Sequence, residues 1–85
     1  MDPYKIVLHP YVTEKTMNLM EENNALEFIV RKTANKHTIK RAVEMLFDVE
    51  VERVNTKIAK TGKHAIVRFK PEYDAEDIGM RIGVF

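Results

Sequence analysis

Cysteine, serine and glutamine are absent from the 85 residues, and glycine and proline number three each. Without cysteine there are no disulfides and no thiolate metal sites, which fits an intracellular, unsecreted chain. Lacking serine as well, the chain has neither of the two commonest side-chain nucleophiles. The glycines, at 62, 79 and 83, are too scattered for a phosphate-cradling loop, and a small acyl-phosphate enzyme would need such a loop with an arginine in it. No apolar run approaches the roughly 20 residues of a membrane span. The opening MDPYKIVLHP also lacks a basic segment followed by a long apolar one. His9, His37 and His64 fall in three different elements without ligand spacing and read as turn or surface histidines. Glu72, Asp74, Glu76 and Asp77 lack the alternating calcium-loop pattern and read as a helix start. These absences describe a soluble, cytoplasmic, non-catalytic single domain with no cofactor. A domain this small often draws part of its stability from a large partner.

What is present is charge, unevenly placed. The formal net charge is only +1, yet residues 31–70 hold eleven Lys and Arg against four carboxylates, while the flanks hold three basic and nine acidic residues. A basic middle between acidic ends points first to a polyanionic partner.

Periodicity supplies the elements. Lys5 to Leu8 is a short apolar run stopped before Pro10 and reads as a brief edge strand. Thr13 suits a helix N-cap for Glu14 to Glu22, with Val12 and Met17 spaced as a hydrophobic staple. Residues 25–32 alternate Leu26, Phe28 and Val30 against Glu27, Ile29 and Arg31, a strand with one face in a core. Asn35 caps a second helix whose stripe is Ile39, Ala42, Val43, Leu46 and Phe47, bordered by Lys36 and Lys40. The period then falls to two. Val54, Thr56 and Ile58 take one face and Arg53, Asn55 and Lys57 the other; after a turn at Thr61-Gly62 or Gly62-Lys63, Ala65, Val67 and Phe69 return inward and Ile66, Arg68 and Lys70 outward. Both turns keep the same faces, and the second sets Lys57 opposite Arg68. Asp74 caps a last helix with Ala75, Ile78 and Ile82 inward, expected on the remaining face or edge of the sheet. The apolar C-terminus is expected to tuck against the core or a partner. The fold class is α+β: an antiparallel sheet covered by helices in the order β-α-β-α-β-β-α, one domain over residues 1–85.

On that frame Arg53, Asn55, Lys57, Arg68 and Lys70 share an outer hairpin face, continued by Lys36 and Lys40, with acidic residues kept elsewhere. Like charges opposed across strands repel, and an RNA backbone would relieve them. Arginine and lysine would hold phosphates and 2′-hydroxyls, while Asn55 and Thr56 offer donors and acceptors to sugars or base edges. Tyr4, Tyr11 and Tyr73 read as half-buried rings with wet hydroxyls rather than stacking platforms. The rival class is a small non-catalytic regulatory or scaffold domain that dimerises through its sheet edge.

The segments HPYVTEK (9–15) and NKHTIKRAVEMLFDVEVERVNT (35–56), the short turn KTGKHAIVRF (60–69) and the terminal IGVF resemble the universal ribosomal protein twenty-three family of the large subunit, in its archaeal form. The resemblance covers almost the whole chain. It implies an α+β sandwich bound to the third domain of large-subunit rRNA beside the exit of the peptide tunnel. There it would meet neighbouring ribosomal proteins, and signal recognition particle or other nascent-chain factors would dock. Carried residue by residue, it gives Thr13 and Lys15 to an RNA-proximal first helix, Lys36 and Lys40 to the basic edge of the second, and Asn55, Thr56 and Lys57 to an RNA-facing strand. Glu14 matches an exposed glutamate that helps hold a ribosome-associated chaperone in bacterial relatives, and it equally suits a dipole-favoured first turn. Where bacterial relatives carry a long loop into the tunnel, this chain has only Thr61-Gly62-Lys63. The resemblance therefore carries no tunnel-wall role to that turn, and a neighbouring protein is expected in that space.

Overall fold

A computed structural model describes residues 2–83. The elements are β1 (Val7–Pro10), α1 (Glu14–Asn23), β2 (Ala25–Val30), α2 (Lys36–Phe47), β3 (Val51–Ala59), β4 (Gly62–Phe69) and α3 (Ala75–Arg81). The four strands form one antiparallel sheet in the order β1-β2-β4-β3, as the α+β reading requires. β1 starts later than its apolar run suggests. Pro3 and the Asp2 carboxylate, which accepts from the Tyr4 amide, first wind residues 3–5 into a 3₁₀ turn. Pro10 is tolerated because β1 is an edge strand.

Each helix begins at the residue whose side chain can satisfy its free amides. Thr13 Oγ1 accepts from the Thr16 amide at 3.2 Å and Thr16 Oγ1 from the Thr13 amide at 2.7 Å, a reciprocal box. Asn35 Oδ1 accepts from the Thr38 amide at 2.9 Å, and the Asp74 carboxylate accepts from the Glu76 amide at 3.0 Å. Two helices end on non-glycine residues in the left-handed region, Asn24 and Asp48, both at φ 54°.

Leu26, Phe28 and Val30 of β2, Val51 and Val54 of β3, and Ala65, Val67 and Phe69 of β4 form one buried cluster with Met20 of α1, Ile39, Ala42 and Val43 of α2, and Ala75 and Ile78 of α3. All three helices therefore cover one face of the sheet. This corrects the expectation for α3, which joins the shared core beside α1 and β2 rather than taking the other face or an edge. The cause is Asn24. Its Nδ2 donates to the carbonyls of Tyr73 (2.8 Å) and Phe69 (3.3 Å), and its Oδ1 accepts from the Ala75 amide (2.8 Å), so the return from β4 is fastened to the end of α1.

The hairpin overruns the helix layer. Val54 is buried and Thr56 half-buried, but Ile58, on the same face, is 71% exposed, against the expectation that it points into the core. The turn residues are Lys60-Thr61, because Ala59 pairs with Gly62, and neither expected turn is used. Both turn residues keep negative φ, and Gly62 at φ 125° supplies the positive φ that restores strand twist. The faces survive, since the register moves by an even step. The expectation of a tucked C-terminus concerns Val84 and Phe85, which lie outside the described residues.

Replacing Asn24 separates its two duties. Asn24→Gly keeps the backbone conformation and loses the side-chain bonds, which costs about 1–3 kcal/mol. Asn24→Ala adds about 1 kcal/mol for a Cβ in the left-handed region. Urea denaturation of both variants measures this, and values within about 0.5 kcal/mol of the wild type would refute the fastening role.

Candidate nucleic-acid interface

Opposite the helices, the strand register lays out three rungs of side chains: Ala25, Arg68 and Arg53; Glu27, Ile66 and Asn55; Ile29, His64 and Lys57. Arg53, Asn55, Lys57 and Arg68 do share this face and are exposed, as their alternation predicts. The directly opposed like pair is Arg53 and Arg68, and Lys57 sits across from His64. Thr56, paired with Ala65, points to the helix side and is half-buried.

Acidic residues are not kept away from the strip, contrary to the sequence reading. Arg68 Nε lies 3.3 Å from Glu52, Lys70 Nζ 3.3 Å from Glu50, and Lys57 Nζ 3.8 Å from Glu27. A register shift between Val51 and Arg53 makes Glu52 the extra residue of a bulge and sets its carboxylate beside the Arg68 guanidinium. Both partners of that pair are about half exposed, so it contributes at most about 1 kcal/mol. The hydrogen bond and charge of Glu50 push the Lys70 ammonium above the usual lysine value of 10.5. Tyr73, whose hydroxyl donates to Glu50 at 3.4 Å, is raised above 10.0 by burial first and by Glu50 second. Of the strip, Arg53 alone has no carboxylate within salt-bridge distance among the described residues.

The unpaired cations gather elsewhere. β2 and β3 both end, and β4 begins, at the hairpin end of the sheet, and α2 starts there after a short loop. That end carries Arg31, Lys32, Lys36 and Lys60, all exposed, and none of them forms an ion pair among the described residues. Lys63 Nζ donates to the Ala34 carbonyl at 2.6 Å and so ties the hairpin to the loop before α2. At the opposite end lie Asp48 and Glu50 between α2 and β3, Glu52 at the bulge near the start of β3, and Glu72 and Asp74 after β4. Lys32, Lys36 and Lys60 thus stand at one end without ion-pair partners among the described residues, while at the other end Arg53, Arg68 and Lys70 are mixed with carboxylates. Lys36 and half-buried Lys40 belong to the helix layer, not to a continuation of the strip; Thr13, Glu14 and Lys15 occupy the start of α1 in that same layer.

Sequence reasoning also missed the centre of the outer face. Glu27 is 5% and His64 2% exposed, so His64 is neither a turn nor a surface histidine, and the polar side of β2 is as buried as its apolar side. Tyr11 covers them, its ring edge-on to the imidazole at 4.6 Å and its amide donating to the Glu27 carbonyl. Tyr11 and Tyr73 are half-buried as expected, whereas Tyr4 is exposed. Alternation alone made Glu27 a solvent residue. The signal that was available is an aromatic, Tyr11, just past a strand end.

The folded values of Lys70 and Tyr73 both exceed their unfolded ones. Their contribution to stability is therefore complete below about pH 10 and lost as pH rises through the folded values. An ultraviolet difference titration of Glu50→Gln against wild type should show one tyrosine ionising at lower pH in the variant. Superimposed curves would contradict the assignment.

A family model described as Ribosomal protein L23 matches residues 5–78. Two similar proteins, from Methanothermobacter thermautotrophicus and Methanobrevibacter smithii, each carry the name large ribosomal subunit protein uL23. Both are 48% identical over 86 aligned residues that cover the whole of each chain. With a single antiparallel α+β sheet of the implied order and most of its length matched, the chain belongs to the ribosomal protein L23 family, whose members are structural proteins of the ribosome and not enzymes.

Proposed function

We propose that the chain is a structural constituent of the large ribosomal subunit that binds large-subunit rRNA near its third domain, at the exit of the peptide tunnel. There it lies beside neighbouring ribosomal proteins and offers a platform for nascent-chain factors such as signal recognition particle. The observation that carries the RNA half is the hairpin end: Arg31, Lys32, Lys36 and Lys60 are exposed cations without ion-pair partners among the described residues. Unpaired cations retain their condensable charge for phosphates, whereas Lys57, Arg68 and Lys70 must first leave Glu27, Glu52 and Glu50. Asn55 adds a donor and an acceptor on the outer face. Lys36, Lys40, Thr13, Lys15 and Thr56 would meet RNA from the helix side, and Glu14, exposed at the start of α1, would meet a factor. The scaffold alternative needs a strand edge open to a second copy. Its longest candidate, β3, is lined by Arg53 and Lys57, and charge on an edge strand opposes pairing.

A transcript of the third rRNA domain, titrated with protein at several salt concentrations, tests this. Neutralising Lys32, Lys36 and Lys60 together should lower the salt slope by about 2–3, while neutralising Lys57, Arg68 and Lys70 should lower it by less. Unchanged affinity and slope in the first set would end the assignment. Glu52→Gln, by freeing Arg68, should tighten binding at low salt; weaker binding would show that the bulge carboxylate is not a competitor. A discrete dimer in sedimentation with no affinity for RNA would favour the scaffold reading.

A further inference from the structure

The outer face holds a buried polar chain that RNA binding by surface cations does not use. Glu27 Oε2 lies 2.6 Å from His64 Nδ1, and both side chains are only 3% exposed. His64 Nε2 is hydrogen-bonded in turn to Thr61 Oγ1, in the hairpin turn. An ionised carboxylate can only accept, so opposite an ionised Glu27 the imidazole donates from Nδ1, and Nε2 shares the hydrogen bond with the Thr61 hydroxyl, which can serve as donor or acceptor. From the other elements packed here, Lys57 Nζ of β3 approaches the same Glu27 oxygen at 3.8 Å, and Tyr11 closes the site with its ring against the imidazole. No buried side-chain nitrogen or oxygen among the described residues lacks a partner. A half-satisfied chain at this depth would be costly, and a complete one fixes a unique geometry.

What that geometry fixes is the tip. Beyond Asn55 the hairpin has lost the support of the helices, and Ile58, Ala59, Lys60 and Thr61 are all exposed. Such an overhang, held by strand pairing alone, would be the loosest part of the sheet. The polar chain reaches it from the rigid centre: β2 supplies the carboxylate, β4 the imidazole, and the turn the hydroxyl. On the other side, Lys63 is tied to the Ala34 carbonyl. We propose that Glu27, acting through His64 and Thr61, is the positioning group of the hairpin tip, and that it presents Lys60 and its neighbours to RNA phosphates in one pre-ordered arrangement. The consequence for binding rests on the RNA reading above; the ordering of the tip does not.

The two parts are tested separately on the full chain. Amide ¹⁵N order parameters for residues 59–63 should be near the rigid value of about 0.85 in the wild type and fall toward 0.6 in Thr61→Val, which removes only the hydroxyl from an exposed turn. Thr61→Ser should restore them. The slowly exchanging imidazole Nδ1–H signal of His64 should survive in Thr61→Val and in Glu27→Gln, which still accepts, and vanish in Glu27→Ala. Against the rRNA transcript, a tip ordered about one-fifth of the time would bind about fivefold more weakly, with the salt slope unchanged because no cation has been removed. Unaltered order in Thr61→Val overturns the proposal whatever the RNA does. A loosened tip with wild-type affinity overturns its binding half. If wild-type protein fails to bind the transcript, the RNA reading fails, and the order parameters, measured in Glu27→Ala as well as Thr61→Val, still decide whether Glu27 orders the tip.

Discussion

Every helix of this small domain spends its apolar stripe on the same face of the sheet, so the other face has to be stable without a covering layer. Ile39, Ala42, Val43, Ala75 and Ile78 are essentially inaccessible, and the strand residues they meet are buried with them. Truncating one such side chain typically costs about 2–5 kcal/mol, a large part of the roughly 5–15 kcal/mol that holds a domain together. Nothing comparable covers the outer face. There the structure relies on a local plug, Tyr11 over His64 and Glu27, and beyond it on charged side chains that water or a partner must solvate.

Under the proposal that the chain binds rRNA, the uncovered face would meet RNA, and the charge distribution refines where. The strip of cations along the hairpin is largely answered from within by Glu27, Glu50 and Glu52, the last of these through a bulge. Exposed pairs of this kind are weak and easily exchanged for phosphate, so they moderate the strip without silencing it. The uncompensated charge belongs to the hairpin end, where the ends of β2 and β3 and the start of α2 bring four exposed cations together without ion-pair partners among the described residues. Cations concentrated at one end of a molecule and offset by carboxylates at the other favour one orientation in the field of a polyanion.

Much of this was legible in the residues, and the exceptions share a cause. Thr13, Asn35 and Asp74 were readable as caps because capping is settled within three residues. The inner faces of β2 and β4 followed from alternation, and the family from motifs that span nearly the whole chain. What could not be read depends on distant partners. His64 and Glu27 are 37 positions apart, Asn24 reaches residues 45 to 51 positions away, and the bulge at Glu52 interrupts the alternation that was used to assign faces. The placement of α3 was illegible for a related reason: an apolar stripe says that a helix is buried, not which side of a sheet it is buried against. The net charge of residues 31–70 was correct, but which of its cations stand unpaired needed the direction of α2 relative to the hairpin and the bulge at Glu52.

The absence of cysteine permits a direct measurement of orientation, because a single introduced thiol can be labelled without competition. Thr33→Cys lies among the cations of the hairpin end and Glu76→Cys on the acidic far end. With an iron chelate tethered to each and the protein assembled into large subunits, hydroxyl radicals from position 33 should cut rRNA strongly and those from position 76 weakly or not at all. Strong cleavage from 76 with none from 33 would mean that the unpaired cations do not face the RNA, and the electrostatic account would be wrong.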